Sequence, residues 1–136
     1  GSILAGGNPT FTDALYHYGL GIGMAFQIQD DLIDLLASPE VSGKDRASDI
    51  REGKKTLIHL KAREKGFDLS PYRRDLTNQE IDAIIARLTE LGVIEEVKAV
   101  SRGLVEEGAR RIGVLPPSPE KDLLLAMAEH FITRRF

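Results

Sequence analysis

Three aspartates, Asp30, Asp31 and Asp34, fall within five residues of the chain, and Lys44, Lys54 and Lys55 follow them. On a helix, residues three and four apart are neighbours. Asp30 and Asp34 would therefore lie one above the other, with Asp31 beside them. Two carboxylates about 4 Å apart repel by roughly 4 kcal/mol at an effective dielectric near 20. A solvated helix relaxes this by splaying the side chains, whereas a packed helix needs a cation. Hard carboxylate oxygens at this spacing suit Mg²⁺, which takes one or two carboxylates and fills its octahedron with waters and phosphate oxygens. Lysines are good point-charge partners for phosphate. Gln27, one turn earlier, could orient a carboxylate or touch a ligand, and Asp49 could reach the metal shell or hold one of the lysines. Acids plus cations in this order describe a diphosphate site, with Mg²⁺ bridging carboxylate to phosphate.

Acids on a helix are more often a solvated face. Two features weigh against that here. Phe26, Ile28, Leu32, Ile33, Leu35 and Leu36 surround the cluster, so its helix is expected to be largely packed. The pairs Gly43-Lys44 and Gly53-Lys54 also recur at a spacing able to return to one pocket.

The elements that must carry these residues read as helices throughout. Thr10 with Asp13 resembles a capping box, so a helix is expected from Phe11 to about Ala37, closed by Ser38-Pro39. Gly19, Gly21 and Gly23 each cost about 1 kcal/mol in a helix interior, which predicts close packing against another helix or a ligand. Glu40–Ala47 reads as a loop, and a helix is expected from near Lys54 to about Lys65, stopped by Gly66. Thr77-Asn-Gln-Glu80 is a better capping box, opening a helix through Leu91 that ends at Gly92. Val93 to Ile112 is the next, with Ile94, Val97, Val100, Leu104 and Val105 on one side. Ser118-Pro119-Glu120 then opens a last helix to Thr133, apolar at Leu123, Leu124, Met127 and Phe131. Alternating β-branched runs are missing, so the expected class is all-α.

The 136 residues suffice for one domain with a core. A net charge of −3 without a basic stripe argues against nucleic acid as a partner. The chain has no cysteine, which excludes disulfides and thiolate metal sites and favours an intracellular, cytoplasmic protein. No apolar run approaches the ~18 residues of a membrane span, so no stable membrane insertion is expected. The opening GSILAGGNPT, apolar from Ser2 to Ala5 like a helix tail, suits a chain that begins inside something larger; Gly1-Ser2 equally suits a cloning remnant.

The stretch GLGIGMAFQIQDDLID followed by GKDRASDIREGKKT resembles the second aspartate-rich region of the trans-isoprenyl diphosphate synthases, the farnesyl and geranylgeranyl diphosphate synthase family. That family's pattern is an F-Q-x-x-D-D-x-x-D helix, a G-K loop, then D-x-x-x-G-K-x-T. Phe26, Gln27, Asp30, Asp31, Asp34, Gly43, Lys44, Asp49, Gly53, Lys54 and Thr56 fall on it in order. The closing LPPSPEKDLLLAMAEHFITRRF resembles the family's last helix.

The resemblance implies a helical bundle of the isoprenoid synthase type, with residues 1–136 as the C-terminal part of a single domain. It implies an Mg²⁺-dependent prenyltransferase, in which an allylic diphosphate ionises and the cation attacks isopentenyl diphosphate to give a longer trans-prenyl diphosphate. By motif, Asp30 and Asp34 would ligate Mg²⁺ and Asp31 would support them. Lys44 and Lys54 would bind the allylic diphosphate, Gln27 would lie near the reacting carbons, and Phe26 would contact substrate. Thr56 would orient the lysine-bearing helix, and Lys55 reads as a solvated charge. The partners implied are isoprenyl diphosphates and a second copy in a homodimer. The family's earlier aspartate-rich cluster and its arginines have no counterpart here. The chain would thus form one wall of a cavity, inactive without the N-terminal half.

Two rivals remain. A terpene cyclase also ionises diphosphates with Mg²⁺, but its second motif uses Asn/Asp, Ser/Thr and Glu. A non-catalytic helical subunit that completes a partner's active site is the reading from a different class. His17, His59 and His130 read as core, surface or helix-end residues, and Tyr16 and Tyr18 as packing residues. Arg110-Arg111 and Arg134-Arg135 read as solvated faces, and Arg73-Arg74 as ordinary loop charge.

Overall fold

Asn8, two residues before the expected cap, opens the first helix. Its side-chain oxygen accepts the amides of Thr10 at 2.8 Å and Phe11 at 3.4 Å, and Pro9 follows at the first helical position, where its missing N–H costs nothing. Thr10 and Asp13 therefore lie inside the helix, contrary to the expected capping box. The computed structural model describes residues 8–36 and 47–135. Among them every regular element is helical: α1 (Pro9–Leu36), α2 (Ser48–Glu52), α3 (Leu57–Glu64), α4 (Asn78–Glu90), α5 (Val93–Arg111) and α6 (Pro119–Arg135), with 3₁₀ turns at Ser70–Tyr72 and Ile112–Val114. The all-α expectation is met. No helix of the described residues is long and apolar enough to cross a membrane.

The chain divides into two compact units, Gly1–Gln27 with Val100–Phe136, and Ile28–Ala99. In the first, Tyr18, Ala25, Val105, Ile112, Leu115, Ala128 and Phe131 form a buried cluster. Each fully buried large side chain contributes on the order of 1.5–3 kcal/mol. Two polar groups inside it are satisfied. The Tyr18 hydroxyl donates to Leu124 O at 2.6 Å, and the Ser101 hydroxyl donates to Ala25 O at 3.2 Å. Burial pushes the Tyr18 phenol above its ordinary pKa, keeping it a neutral donor. Gly21 is where the expected close packing occurs, since a Cβ there would stand 2.8 Å from the Leu104 carbonyl oxygen. Gly19 and Gly23 face open space among the described residues. Tyr16 is exposed rather than packed, with its ring edge-on to His17. Met127 and Leu123, expected on the packed side of the last helix, are also exposed, and the small Ala128 is buried instead.

In the second unit, Ile28, Leu32, Leu35, Ile58, Ala62, Leu69, Ile81, Ile84, Leu88, Val93, Ile94 and Val97 are buried. The helix expected from near Lys54 to about Lys65 is present as α3 with a later start, and the short α2 before it was not expected. Gly53 adopts φ +74°, a left-handed conformation that ends α2, and α3 starts afresh at Leu57 behind its cap, Thr56, whose hydroxyl oxygen accepts the His59 amide. The Thr77–Glu80 capping box is present in both directions, at 3.0 and 3.1 Å.

Candidate functional site

Asp34 sits near the C-terminal end of α1 and grips the next helix. Its Oδ1 accepts the Ser48 amide at 3.2 Å and the Ser48 hydroxyl at 2.6 Å, and its Oδ2 accepts the Asp49 amide at 3.1 Å. Its backbone oxygen accepts the Ala47 amide at 3.1 Å. The reason is local. The residue before α2 is Ala47, at φ 57°, which has no side-chain acceptor for the free amides of the first turn. A carboxylate from fourteen residues earlier takes that role, and negative charge suits a helix N-terminus.

From Asp49 the connection passes to Lys54. The Lys54 amide donates to Asp49 O at 2.9 Å, closing the turn. Its ammonium stands 3.4 Å from Asp49 Oδ1 and 3.6 Å from Glu52 Oε2. The Asp49 charge foremost, with its hydrogen bond, raises the Lys54 pKa above its ordinary value, so the side chain stays charged. Asp34, Asp49 and Lys54 are thus brought together in one unit, and Asp49 holds a lysine. Lys55 is exposed, as expected of a solvated charge.

Asp30 stands one helical turn before Asp34. It is exposed and has no hydrogen-bond or ion-pair partner among the described residues, while Asp31 is half-buried. Among the described residues no group of three His, Cys, Asp or Glu side chains converges as a ready metal cage. The donor set nevertheless fits Mg²⁺, which characteristically uses one or two carboxylates with phosphates and waters rather than an all-protein cage. An ionised carboxylate has about four lone-pair directions. Three of those on Asp34 are taken by the start of α2, so Asp30 is the acid with the most capacity to spare. Lys44 and Gly43 lie outside the described residues.

Phe26 and Gln27, both exposed, belong to the other unit. There the Phe26 ring meets Phe131 edge-to-face, 4.9 Å between centroids. The two line an apolar cleft of ≈ 400 Å³ with Ile22, Ala126, Met127 and His130.

Sequence reasoning passed over two residues that shape the lysine turn. Ser48 supplies two of the donors to Asp34. Arg73, read as loop charge, lies over Gly53: a Cβ on that glycine would come 2.6 Å from Arg73 Cδ. Its neighbour Arg74 braces the α4 capping box through Glu80 at 2.6 Å. A reserved glycine at position 53 was the available signal, but it did not name its partner.

Comparison with known proteins agrees with this architecture. The polyprenyl synthetase family model matches residues 1–90. The chain is 41% identical over 137 aligned positions to the geranylgeranyl diphosphate synthase of Methanosarcina mazei, covering 100% of this chain and 42% of that protein. The structure superposes on the geranylgeranyl pyrophosphate synthetase of the archaeon Geoglobus acetivorans with a TM-score of 0.79 at 32% identity, over 96% of this chain and 40% of that one. A crystal structure of the Corynebacterium glutamicum geranylgeranyl pyrophosphate synthase, complexed with isoprenyl diphosphate and magnesium, gives 0.71 at 32% identity over 96% and 39%. The all-α fold is that of isoprenyl diphosphate synthases. The chain belongs to the polyprenyl synthetase family. It spans about two-fifths of the length of these relatives.

Proposed function

We propose that this chain is the C-terminal part of a single isoprenoid synthase domain and supplies the second aspartate-rich wall of an Mg²⁺-dependent trans-prenyltransferase. The reaction joins an allylic isoprenyl diphosphate to isopentenyl diphosphate. The observation that carries the reading is the Asp34 clamp, which ties the Asp49–Lys54 turn to the helix bearing Asp30 and Asp31. Acids able to hold a metal and a lysine able to hold phosphate thereby stand on one local framework. The names of the relatives, and the ligands of the Corynebacterium structure, support the substrate class and the metal.

In this scheme Asp30 holds the metal, with Asp31 supporting it and Asp34 dividing its oxygens between the metal and α2. Bound Mg²⁺ supplies positive charge against the leaving diphosphate. Lys54 releases Asp49 or Glu52 to meet a phosphoryl oxygen, and Lys44 adds a second cation. Stabilising the departing diphosphate favours ionisation of the allylic C–O bond. By motif, Gln27 would act near the reacting carbons and Phe26 on the substrate.

Turnover on this reading requires the remainder of the domain. Tyr16, Leu20 and Met24 repeat every four residues along α1 and are 64%, 46% and 47% exposed. Such a stripe supports cover by the helices that make up the rest of the relatives' length. The family resemblance extends the reading to a homodimer, and the cytoplasmic location is the expectation drawn from the cysteine-free composition. Light scattering across a concentration series should report association of the isolated chain, and a strict monomer would count against the incomplete-wall reading. The decisive test is calorimetric titration of farnesyl diphosphate with Mg²⁺ and then with EDTA. Heat with Mg²⁺ alone is expected. Absence of heat in both conditions, persisting after the rest of the domain is added in trans, would remove the diphosphate reading.

A further inference from the structure

We propose that Arg73 is a further diphosphate contact, acting beside Lys54 at the Gly53 turn; this rests on the reading that Lys54 binds diphosphate. The segment carrying Arg73 is held against that turn by its surroundings. The 3₁₀ turn Ser70–Tyr72 packs on α2, and Arg51 Nη1 on α2 stands 3.8 Å from Asp75 Oδ1. Arg73 itself lies across Gly53, where an added Cβ would come 2.6 Å from its Cδ, 2.9 Å from its Nε and 3.1 Å from its Cγ. The guanidinium is therefore delivered to the residue immediately before Lys54.

Its charge is also unspent. Arg51 faces Asp75 and Arg74 is bonded to Glu80, whereas the Arg73 side chain has no hydrogen bond or ion pair among the described residues and is exposed. Lys54, by contrast, is already matched to Asp49 and Glu52. A diphosphate arriving at this turn meets two acids and a compensated lysine. An uncommitted cation next to them is what the charge balance requires. A guanidinium presents five donors in a fork that matches phosphate oxygens.

The rival is packing alone, with the aliphatic stem covering Gly53 and the charge idle. Arg73→Met keeps the stem and removes the charge, while Arg73→Lys keeps both. Inorganic pyrophosphate with Mg²⁺ is titrated calorimetrically into the native 136-residue chain and each variant, with the Thr56 and His59 amide resonances reporting that the turn is intact. Arg73→Met is expected to bind about tenfold more weakly, and Arg73→Lys, which keeps the charge without the fork, to recover part of that loss. Native-like binding by Arg73→Met overturns the proposal while leaving the diphosphate reading standing; Arg73→Lys binding no better than Arg73→Met assigns the contact to the guanidinium fork. A native chain that shows no Mg²⁺-dependent binding, alone or with the rest of the domain added in trans, overturns both.

Discussion

Asp34 serves two ends with one carboxylate. It accepts three donors from Ser48 and Asp49, so replacing it acts on folding as well as on any ligand. Asp34→Ala should cost about 1–2 kcal/mol, the range for a lost helix cap with charged hydrogen bonds, read by urea denaturation. It should also weaken diphosphate binding, because the Lys54 turn loses its anchor. Asp30→Ala removes a carboxylate with no partner among the described residues, so it should leave stability within about 0.5 kcal/mol and weaken only Mg²⁺-dependent binding. If Asp34→Ala left stability unchanged, the clamp would not matter and Asp34 would be a ligand alone. Motif order names both acids equally. Which one is tied up depends on Ala47 standing where a cap is needed, a fact about the folded loop.

Among the elements, α1 and α4 carry the clearest tests. Gly21→Ala gains about 1 kcal/mol of helix propensity but drives a Cβ to 2.8 Å from a backbone oxygen that cannot step aside. Overpacking of this kind costs about 1–3 kcal/mol, so the net effect should be destabilising. Gly23→Ala meets nothing within 4 Å and should stabilise by roughly 0.5–1 kcal/mol. Thermal melts of the pair check the sign in each case, and a stabilising Gly21→Ala would show that the approach of Gly21 to the Leu104 carbonyl is not tight. In α4, the hydrogen bond from Arg74, joined by the Thr77 amide, lowers the Glu80 pKa from 4.5 to about 2. The folded pKa lies below the unfolded one. The contribution of Glu80 is therefore complete above pH 4.5 and is lost as pH falls from there towards about 2. NMR titration of the folded chain should find the Thr77 amide and Glu80 carboxyl moving together about a midpoint near pH 2, and Glu80→Gln should abolish the step. This capping box was legible because its partners are three residues apart. The first helix was misplaced at its start because Asn8 and Thr10 are both competent caps, and Pro9 settles the choice only once Asn8 is seen to reach two amides.

For the molecule as a whole, a ligand that binds only the folded chain must raise its stability. At about a hundredfold excess over Kd the gain is about 2.7 kcal/mol. Farnesyl diphosphate with Mg²⁺ should therefore raise Tm by several degrees, and EDTA should reverse the shift. A melting curve unmoved by saturating ligand and metal would contradict ligand-linked folding of this wall.

Helical periodicity, caps and stops are local, so the sequence alone determined the all-α class and most of the helices, and the order of acids, glycines and lysines determined the family. The short α2 opened by Asp34, the burial of Ala128 in place of Met127, and the division of labour between Asp30 and Asp34 came only with the tertiary structure. The same holds for Arg73, twenty residues from the glycine it covers. The physical reason is common to all four. Each depends on which backbone group or side chain arrives beside another through space, and spacing along a chain carries no record of a meeting made by folding.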